Sequence, residues 1–207
     1  MADFLSVNTG IILLTVLVSY QAFKDSILFS KLMFNPYLIH HYKQVHRIVT
    51  HGFVHADTPH LLFNMFSLYI FGEHIEYVFT QLFGKIGLLY FVLLYLGGMI
   101  FSSFSSYIKY YNKPNYNAIG ASGAVSAVVF AFILIYPTQK IGIFFIPPFI
   151  PGWIFGLLYL AYSHWMSKKQ MDNIGHEAHF WGAVFGLLFT LFLKPSLWQE
   201  FINQVFK

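Results

Sequence analysis

The chain contains no cysteine, which excludes disulfide bonds, thiolate metal sites and a cysteine nucleophile. Charged residues are also scarce, at 10% of the 207 residues, whereas soluble domains carry about 25%. The basic residues form no run, so a nucleic-acid-binding role has no electrostatic basis. Apolar residues make up 57% of the chain and aromatics 21%. This balance excludes a soluble enzyme and predicts an all-α, polytopic membrane protein whose aromatic rings lie at membrane–water interfaces.

Six weakly charged windows are long enough to be membrane helices, because about 20 helical residues cross a bilayer core. They predict helices at about 4–23, 60–83, 86–108, 118–138, 151–167 and 175–193 within one domain, 1–207. The fifth helix is expected to begin near Pro151, because Pro147 and Pro148 interrupt the window before it. Glu73 and Glu76 lie at the far end of the second window, where a structural role is favoured over ion binding.

The first connection, 24–59, is unusually long and contains five histidines. Connections of this length are usually functional or separately folded, and its apolar content predicts a loop folded against the bundle and the membrane surface. His51 and His55, four residues apart, leave a metal site open as an alternative. No acidic partner is well placed near them, and His176 and His179 lack the HExxH spacing of a zinc peptidase. The sequence therefore predicts neither a metal nor a cofactor.

Three polar clusters lie where membrane helices begin. His60 and Asn64 open the second helix, Gly120 to Gly123 lie where the chain enters the fourth, and His179 opens the sixth. Helices two, four and six run in the same direction, so the clusters are expected at one membrane depth. A serine hydroxyl becomes a nucleophile when an adjacent base takes its proton. Ser122 and His179 are therefore the predicted catalytic pair, near a helix N-terminus that favours a developing oxyanion.

Small residues support this pairing. Gly182 and Gly186 follow His179 on the same face of the sixth helix, and small residues spaced by four let membrane helices approach closely. Gly123 lies near the start of the fourth helix and offers the facing surface. Taken singly, each cluster also fits helix packing or capping. The joint arrangement favours catalysis.

The chain resembles the rhomboid family of intramembrane serine proteases over about residues 31–193. His60 and Asn64 match the HxxxN segment of that family, the stretch from Gly120 through Ser122 to Gly123 matches GxSG, and 178–182 matches AHxxG. Two positions depart from the family pattern. His46-Arg47 stands where Trp-Arg is common, and Ser126 stands four residues after the nucleophile, where many members carry an aromatic residue.

The resemblance implies a six-helix bundle with a membrane-embedded first loop and a Ser122–His179 dyad. It implies an oxyanion hole formed by the Ser122 N–H, Asn64 and His60, and a fifth helix that moves to admit substrate. The substrates would be transmembrane helices of other proteins. The alternatives are a catalytically inactive relative that binds membrane helices, or a histidine-dependent metalloenzyme. The sequence leaves the substrate and the oligomeric state open.

Orientation is predicted differently by charge and by resemblance. Eight Lys or Arg residues lie on the side opposite the termini and four on the same side, which favours external termini by the positive-inside rule. Four of the eight fall in the first loop, which is expected to be folded. The resemblance implies an inner-membrane protein with cytoplasmic termini and an outward-facing site, and this is the orientation we expect.

Overall fold

The computed structural model describes residues 6–143, 146–169 and 175–206. Its helices in chain order are α1 (Val7–Lys24), α2 (Ser26–Leu32), α3 (Pro36–Tyr42), α4 (Arg47–Thr50), α5 (Thr58–Ser67), α6 (Glu73–Phe83), α7 (Ile86–Tyr110), α8 (Ser122–Ile135), α9 (Gly152–Lys169), α10 (His176–Leu193) and α11 (Leu197–Val205). A 3₁₀ turn, His51–Phe53, follows α4, and a π-helical segment, Leu68–Gly72, joins α5 to α6. Strands β1 (Lys140–Ile143) and β2 (Ile146–Pro151) pair antiparallel.

Helices occupy all six predicted positions, which confirms the predicted helical membrane bundle. In the described part of the chain, α1, α7 and α10 are long and apolar enough to cross a membrane, and α8 is a shorter apolar helix. The second predicted helix is continuous from α5 to α6 through the π segment. Phe4, where the first predicted helix was expected to begin, lies outside the described residues.

The boundaries of α8 differ most from the prediction, which placed a helix at 118–138. Ala118 forms an antiparallel backbone bridge with Phe34, and this pairing keeps the chain extended before the helix. At the other end, Tyr136 is no longer helical, because the residue before a proline avoids the helical conformation. All residues of α8 except Ser122 and Val129 are buried, so this helix forms the centre of the bundle.

The first loop folds into α2, α3, α4 and the 3₁₀ turn, as its apolar content predicted. Arg47 holds it together, and its side chain is only 5% exposed. Its guanidinium donates to the carbonyl oxygens of Ser30 at 2.7 Å and Met33 at 2.8 Å, and to the Gln44 side chain at 2.7 Å. Three hydrogen bonds from one planar guanidinium thus hold separate segments of the first loop together.

Glu73 and Glu76 cap the N-terminus of α1. The Glu76 carboxylate accepts from the backbone N–H groups of Val7 at 3.0 Å and Asn8 at 2.6 Å, and Ser6 donates to Glu73 at 2.8 Å. An anion at a helix N-terminus satisfies free N–H groups and complements the helix dipole. This contact gives both glutamates the structural role favoured from sequence.

Two short elements were not predicted. The β1–β2 hairpin occupies the proline-containing stretch before α9, and the carbonyls of Pro137 and Gln139 accept from the first N–H groups of α9, each at 2.9 Å. Helix α11 follows the expected end of the bundle, where Gln204 donates to the carbonyl of Ile135 at 3.2 Å. The turn before β1 and helix α11 thus satisfy backbone groups at the ends of α9 and α8.

Candidate active site

The segment that carries Ser122 turns sharply into α8. Gly120 has φ of +101°, a conformation that residues with a side chain rarely adopt. Its N–H donates to the His51 carbonyl at 2.9 Å. Ser122 is then the first residue of α8 and is half-buried. The turn therefore places the hydroxyl at the N-terminal end of the most enclosed helix, where backbone N–H groups lack intrahelical partners.

His55, in the first loop, holds the backbone next to Ser122. Its ring is fully buried, and Nε2 accepts from the N–H of Ala121 at 3.4 Å. On the other side, Nδ1 lies 3.0 Å from the hydroxyl of Ser19, which donates its own proton to the Phe53 carbonyl at 2.9 Å. This network assigns the ring proton to Nδ1, because the Ser19 oxygen is left as an acceptor.

The protonation state of His55 agrees with these bonds. Burial, and to a lesser extent the nearby His60, lower its pKa to about 3, although Asp57 opposes the shift. The ring is therefore neutral near pH 7 and keeps the Nε2 lone pair that the Ala121 N–H requires. The spacing of the loop histidines suggested only a metal site for His55 and His51, and nothing in the sequence indicated that His55 contacts the segment before Ser122.

His60 lies directly against the turn before Ser122. Asp57 caps α5 by accepting from the His60 N–H at 2.7 Å. A Cβ added to Gly120 would lie 2.7 Å from Cε1 and 2.9 Å from Nε2 of His60, so the imidazole occupies the space that glycine leaves. The rings of His55 and His60 meet edge to face with centroids 5.0 Å apart. The second helix and the Ser122 turn are thus in direct contact.

Asn64 is one turn further along α5 and is 2% exposed. Its side-chain amide donates to the His60 carbonyl at 2.9 Å. An asparagine amide carries two N–H donors, so this bond fixes the orientation of the side chain and uses one of them. The arrangement leaves a second N–H on a side chain held rigidly by its own helix.

Helices α8 and α10 touch backbone to backbone at the same level. A Cβ on Gly182 would lie 2.8 Å from the carbonyl carbon and 3.0 Å from the Cα of Gly123, and one on Gly123 would lie 3.5 Å from the Ala178 carbonyl oxygen. Ser122 and His179 are the chain neighbours of Gly123 and Ala178. The contact therefore brings the segments that carry them to one depth.

One turn deeper, the same close approach is repeated. A Cβ on Gly186 would lie 2.7 Å from both the carbonyl carbon and the Cα of Ala127. Helix α7 also approaches α8 closely, because a Cβ on Gly98 would lie 2.6 Å from the Ala127 Cβ. Glycines on α7 and α10 thus let both helices pack closely against α8.

The aromatic neighbour of His179 comes from α9. Tyr159 stacks on the His179 ring with centroids 6.2 Å apart and planes 28° from parallel. The Tyr159 hydroxyl is 2.7 Å from that of Ser126. The position where the family pattern has an aromatic residue therefore contacts an aromatic residue from another helix. Phe180, which follows His179 in the chain, contacts His164 and Trp181.

The two loop histidines considered as metal ligands, His51 and His55, are already hydrogen-bonded. His51 contacts the Arg47 carbonyl through Nδ1 at 3.1 Å and Ser103 through Nε2 at 3.2 Å, and both nitrogens of His55 have partners as described. Within residues 6–143, 146–169 and 175–206, no three His, Asp or Glu side chains are arranged to hold a metal ion. His51 and His55 thus serve the packing of the first loop.

Comparison with known proteins identifies a domain family and several curated relatives. The sequence model of the Rhomboid domain matches residues 42–196. Rhomboid protease GlpG of Haemophilus influenzae is 29% identical over 181 residues, covering 87% of this chain and 85% of that protein. RHOMBOID-like protein 12, mitochondrial, of Arabidopsis thaliana is 29% identical over 149 residues, covering 68% of this chain and 44% of that protein.

A further relative is Rhomboid protein 1, mitochondrial, of Saccharomyces cerevisiae, which is 29% identical over 160 residues. That match covers 74% of this chain and 43% of the yeast protein. The chain therefore spans less than half the length of these two mitochondrial relatives, and most of the length of the bacterial one.

Proposed function

Because the chain belongs to the rhomboid family, we propose that it is an intramembrane serine endopeptidase acting through a Ser122–His179 dyad. The proposal rests above all on one observation, the backbone contact between Gly123 and Gly182 beside these two residues. That contact, with His60 packed against Gly120, gathers the polar clusters of three helices at one place. A relative of similar length, GlpG, is named a protease.

In the proposed reaction, His179 accepts the proton of the Ser122 hydroxyl as the oxygen attacks the scissile carbonyl carbon. The resulting tetrahedral intermediate collapses when the protonated His179 donates to the leaving amine, and an acyl-enzyme remains. Water then attacks the ester, again with His179 as base, and releases the new carboxylate. No metal or cofactor is needed, because each proton removed from a nucleophile is returned to a leaving group.

The negative charge on the intermediate is held by three donors in this proposal. They are the backbone N–H of Ser122, the second amide N–H of Asn64, and the His60 ring. The start of α8 contributes the partial positive charge of its dipole. Donors fixed before the reaction lower the barrier most, and the bond from Asn64 to its own helix is the kind of restraint this requires.

The proposed substrates are transmembrane helices of other membrane proteins. A peptide bond inside an intact helix is shielded, so cleavage needs a segment that unwinds near its end, where small or helix-breaking residues occur. Helix α9 is the proposed wall that moves to admit such a segment. It begins after a hairpin, and its exposed Leu157 and Leu158 form an apolar outer surface.

Labelling of the detergent-solubilised protein with a fluorophosphonate tests the dyad. Ser122→Ala and His179→Ala should each abolish labelling, whereas Ser167→Ala and His164→Ala, on the exposed end of α9, should label like wild type. Asn64→Ala should label and still cleave a transmembrane substrate about 10- to 1000-fold more slowly. An unchanged cleavage rate would remove Asn64 from the oxyanion hole.

The other outcomes distinguish the alternatives. A folded wild type that neither labels nor cleaves would support an inactive relative that binds membrane helices. Cleavage that persists in Ser122→Ala and stops with a chelator would support a metalloenzyme. Either result would overturn the proposal.

We place the termini in the cytoplasm and the site on the outer side of the inner membrane. Because the chain lacks cysteine, single cysteines report topology directly. Asn115→Cys lies in the exposed loop before α8, and Ser196→Cys lies in the exposed turn after α10. A membrane-impermeant maleimide applied to spheroplasts should modify the first and spare the second. The reverse pattern would invert the orientation.

A further inference from the structure

Three helices meet around the ring of Tyr159. The side chain originates on α9, its ring stacks on His179 of α10 at 6.2 Å, and its hydroxyl bonds Ser126 of α8 at 2.7 Å. Phe130 and Phe155 flank the same ring, with centroids at 5.4 Å and 6.0 Å. The Tyr159 ring is thus packed against His179, Phe130 and Phe155, and its hydroxyl is hydrogen-bonded to Ser126.

We propose that Tyr159 is the positioning residue for His179 and that Ser126 is the anchor that fixes Tyr159. The proposal rests on the dyad proposed above, and it explains the serine four residues after Ser122. An aromatic side chain at 126 would occupy the place of the hydroxyl–hydroxyl bond. Here the chain supplies the ring from α9 and uses the small polar residue on α8 to orient it.

The geometry indicates how the ring acts. Centroids 6.2 Å apart with planes 28° from parallel fall within the range of favourable offset stacking. The face of a tyrosine ring also attracts a cation, and His179 becomes a cation each time it takes the Ser122 proton. The Tyr159 hydroxyl is engaged with Ser126, so the ring face supports the imidazole while the hydroxyl holds the ring in register.

Ser126 and Ser122 are four residues apart and share one face of α8. The bond to Ser126 therefore places the Tyr159 ring one turn below the proposed nucleophile. His179 is then bounded by the Ser122 level of α8 on one side and by the Tyr159 face on another. An imidazole held on two sides has less orientational freedom to lose when it reaches the transition state than a free imidazole has. Correct orientation of the reacting groups is a large part of the catalytic effect.

The test compares variants that keep the ring with variants that remove it. The readout is the second-order rate of fluorophosphonate labelling, together with kcat and KM on a transmembrane substrate. Tyr159→Leu should lower labelling and kcat by at least tenfold, with KM within about twofold of wild type. Tyr159→Phe should restore the rate to within about fivefold, because it keeps the stacking face.

The anchor is tested by a double-mutant cycle. Ser126→Ala should match Tyr159→Phe, and the double variant should be no slower than either alone, since both remove the same hydrogen bond. Trp165→Leu is the matched control, because Trp165 is an exposed aromatic residue on the same helix and its ring meets Tyr162 and Lys169. That control should label at the wild-type rate.

Three results would overturn the inference while leaving the dyad intact. They are a wild-type labelling rate in Tyr159→Leu, a Tyr159→Phe variant as slow as Tyr159→Leu, and additive losses in the double-mutant cycle. If Tyr159→Leu fails to fold, Tyr159→Met retains the volume without a ring and takes its place. A wild-type protein that does not label at all would instead count against the dyad. Failure of the Tyr159 inference is therefore distinguishable from failure of the dyad proposal.

Discussion

Replacing Gly182 with alanine should force α8 and α10 apart beside the proposed dyad. The new Cβ would lie 2.8 Å from the Gly123 carbonyl carbon, where ordinary contact begins at 3.4 Å. The helices must therefore separate by at least about 0.6 Å, because the obstacle is backbone and cannot rotate away. Overpacking of this kind costs about 1–3 kcal/mol of unfolding free energy.

The same displacement should also slow catalysis. A misplacement of about 1 Å between reacting groups costs on the order of 100-fold in rate. We therefore expect Gly182→Ala to label with a fluorophosphonate about 10- to 100-fold more slowly, with a lower melting temperature. Gly186→Ala makes an equivalent clash with Ala127 one turn deeper. It should lose similar stability and much less rate.

Gly10 provides the control, because a Cβ there would meet nothing within 4 Å. Gly10→Ala should keep the wild-type melting temperature and labelling rate. The reasoning is refuted if Gly182→Ala behaves like Gly10→Ala. It is also refuted if Gly186→Ala slows labelling as much as Gly182→Ala, because the loss would then reflect general loosening of the helix pair.

Further predictions concern the turn and the first loop. Gly120→Ala should abolish cleavage in a substrate assay, because its φ is positive and its Cβ would strike His60. Arg47→Ala should lower the unfolding free energy by about 3 kcal/mol, measured by thermal unfolding, since it removes three bonds of a charged donor; an unchanged midpoint would contradict this. His55 has a pKa of about 3 when folded and 6.5 in its ordinary state, so the unfolded chain takes up the proton first as pH falls. The unfolding free energy should therefore decrease from about pH 6.5 toward 3, by up to about 1.4 kcal/mol per pH unit, and a His55→Gln variant should show a shallower decrease in pH-dependent unfolding.

The helices were predictable because lipid imposes a simple rule. A window of about 20 residues with little charge has few other stable states in a membrane, and helices are present in all six such windows. The polar clusters were equally visible, since His60, Asn64 and Ser122 interrupt otherwise apolar surroundings. The hairpin from Lys140 to Pro151 was missed, because its prolines indicated only where a helix could not form.

The supporting contacts were not predictable, because they join residues distant in the chain. Tyr159 is one of 14 tyrosines, and its contact with Ser126 spans 33 positions. His55 reaches Ala121 across 66 positions. Neither contact produces a repeating pattern in the local sequence, since each depends on how the folded helices pack against one another. No local signal pointed to Tyr159, since the sequence showed only a serine at position 126, where many family members carry an aromatic residue.

Helix α8 has fourteen residues and is therefore about 21 Å long, shorter than the hydrocarbon layer of about 30 Å. Its position is set by neighbouring helices, because nearly all of it is buried within protein. A thinner or thicker bilayer would act first on the peripheral helices, which can tilt to match it. Ser122, the proposed nucleophile, would thus keep its surroundings across membranes of different thickness, while the proposed admission of substrates past α9 would vary with the lipid.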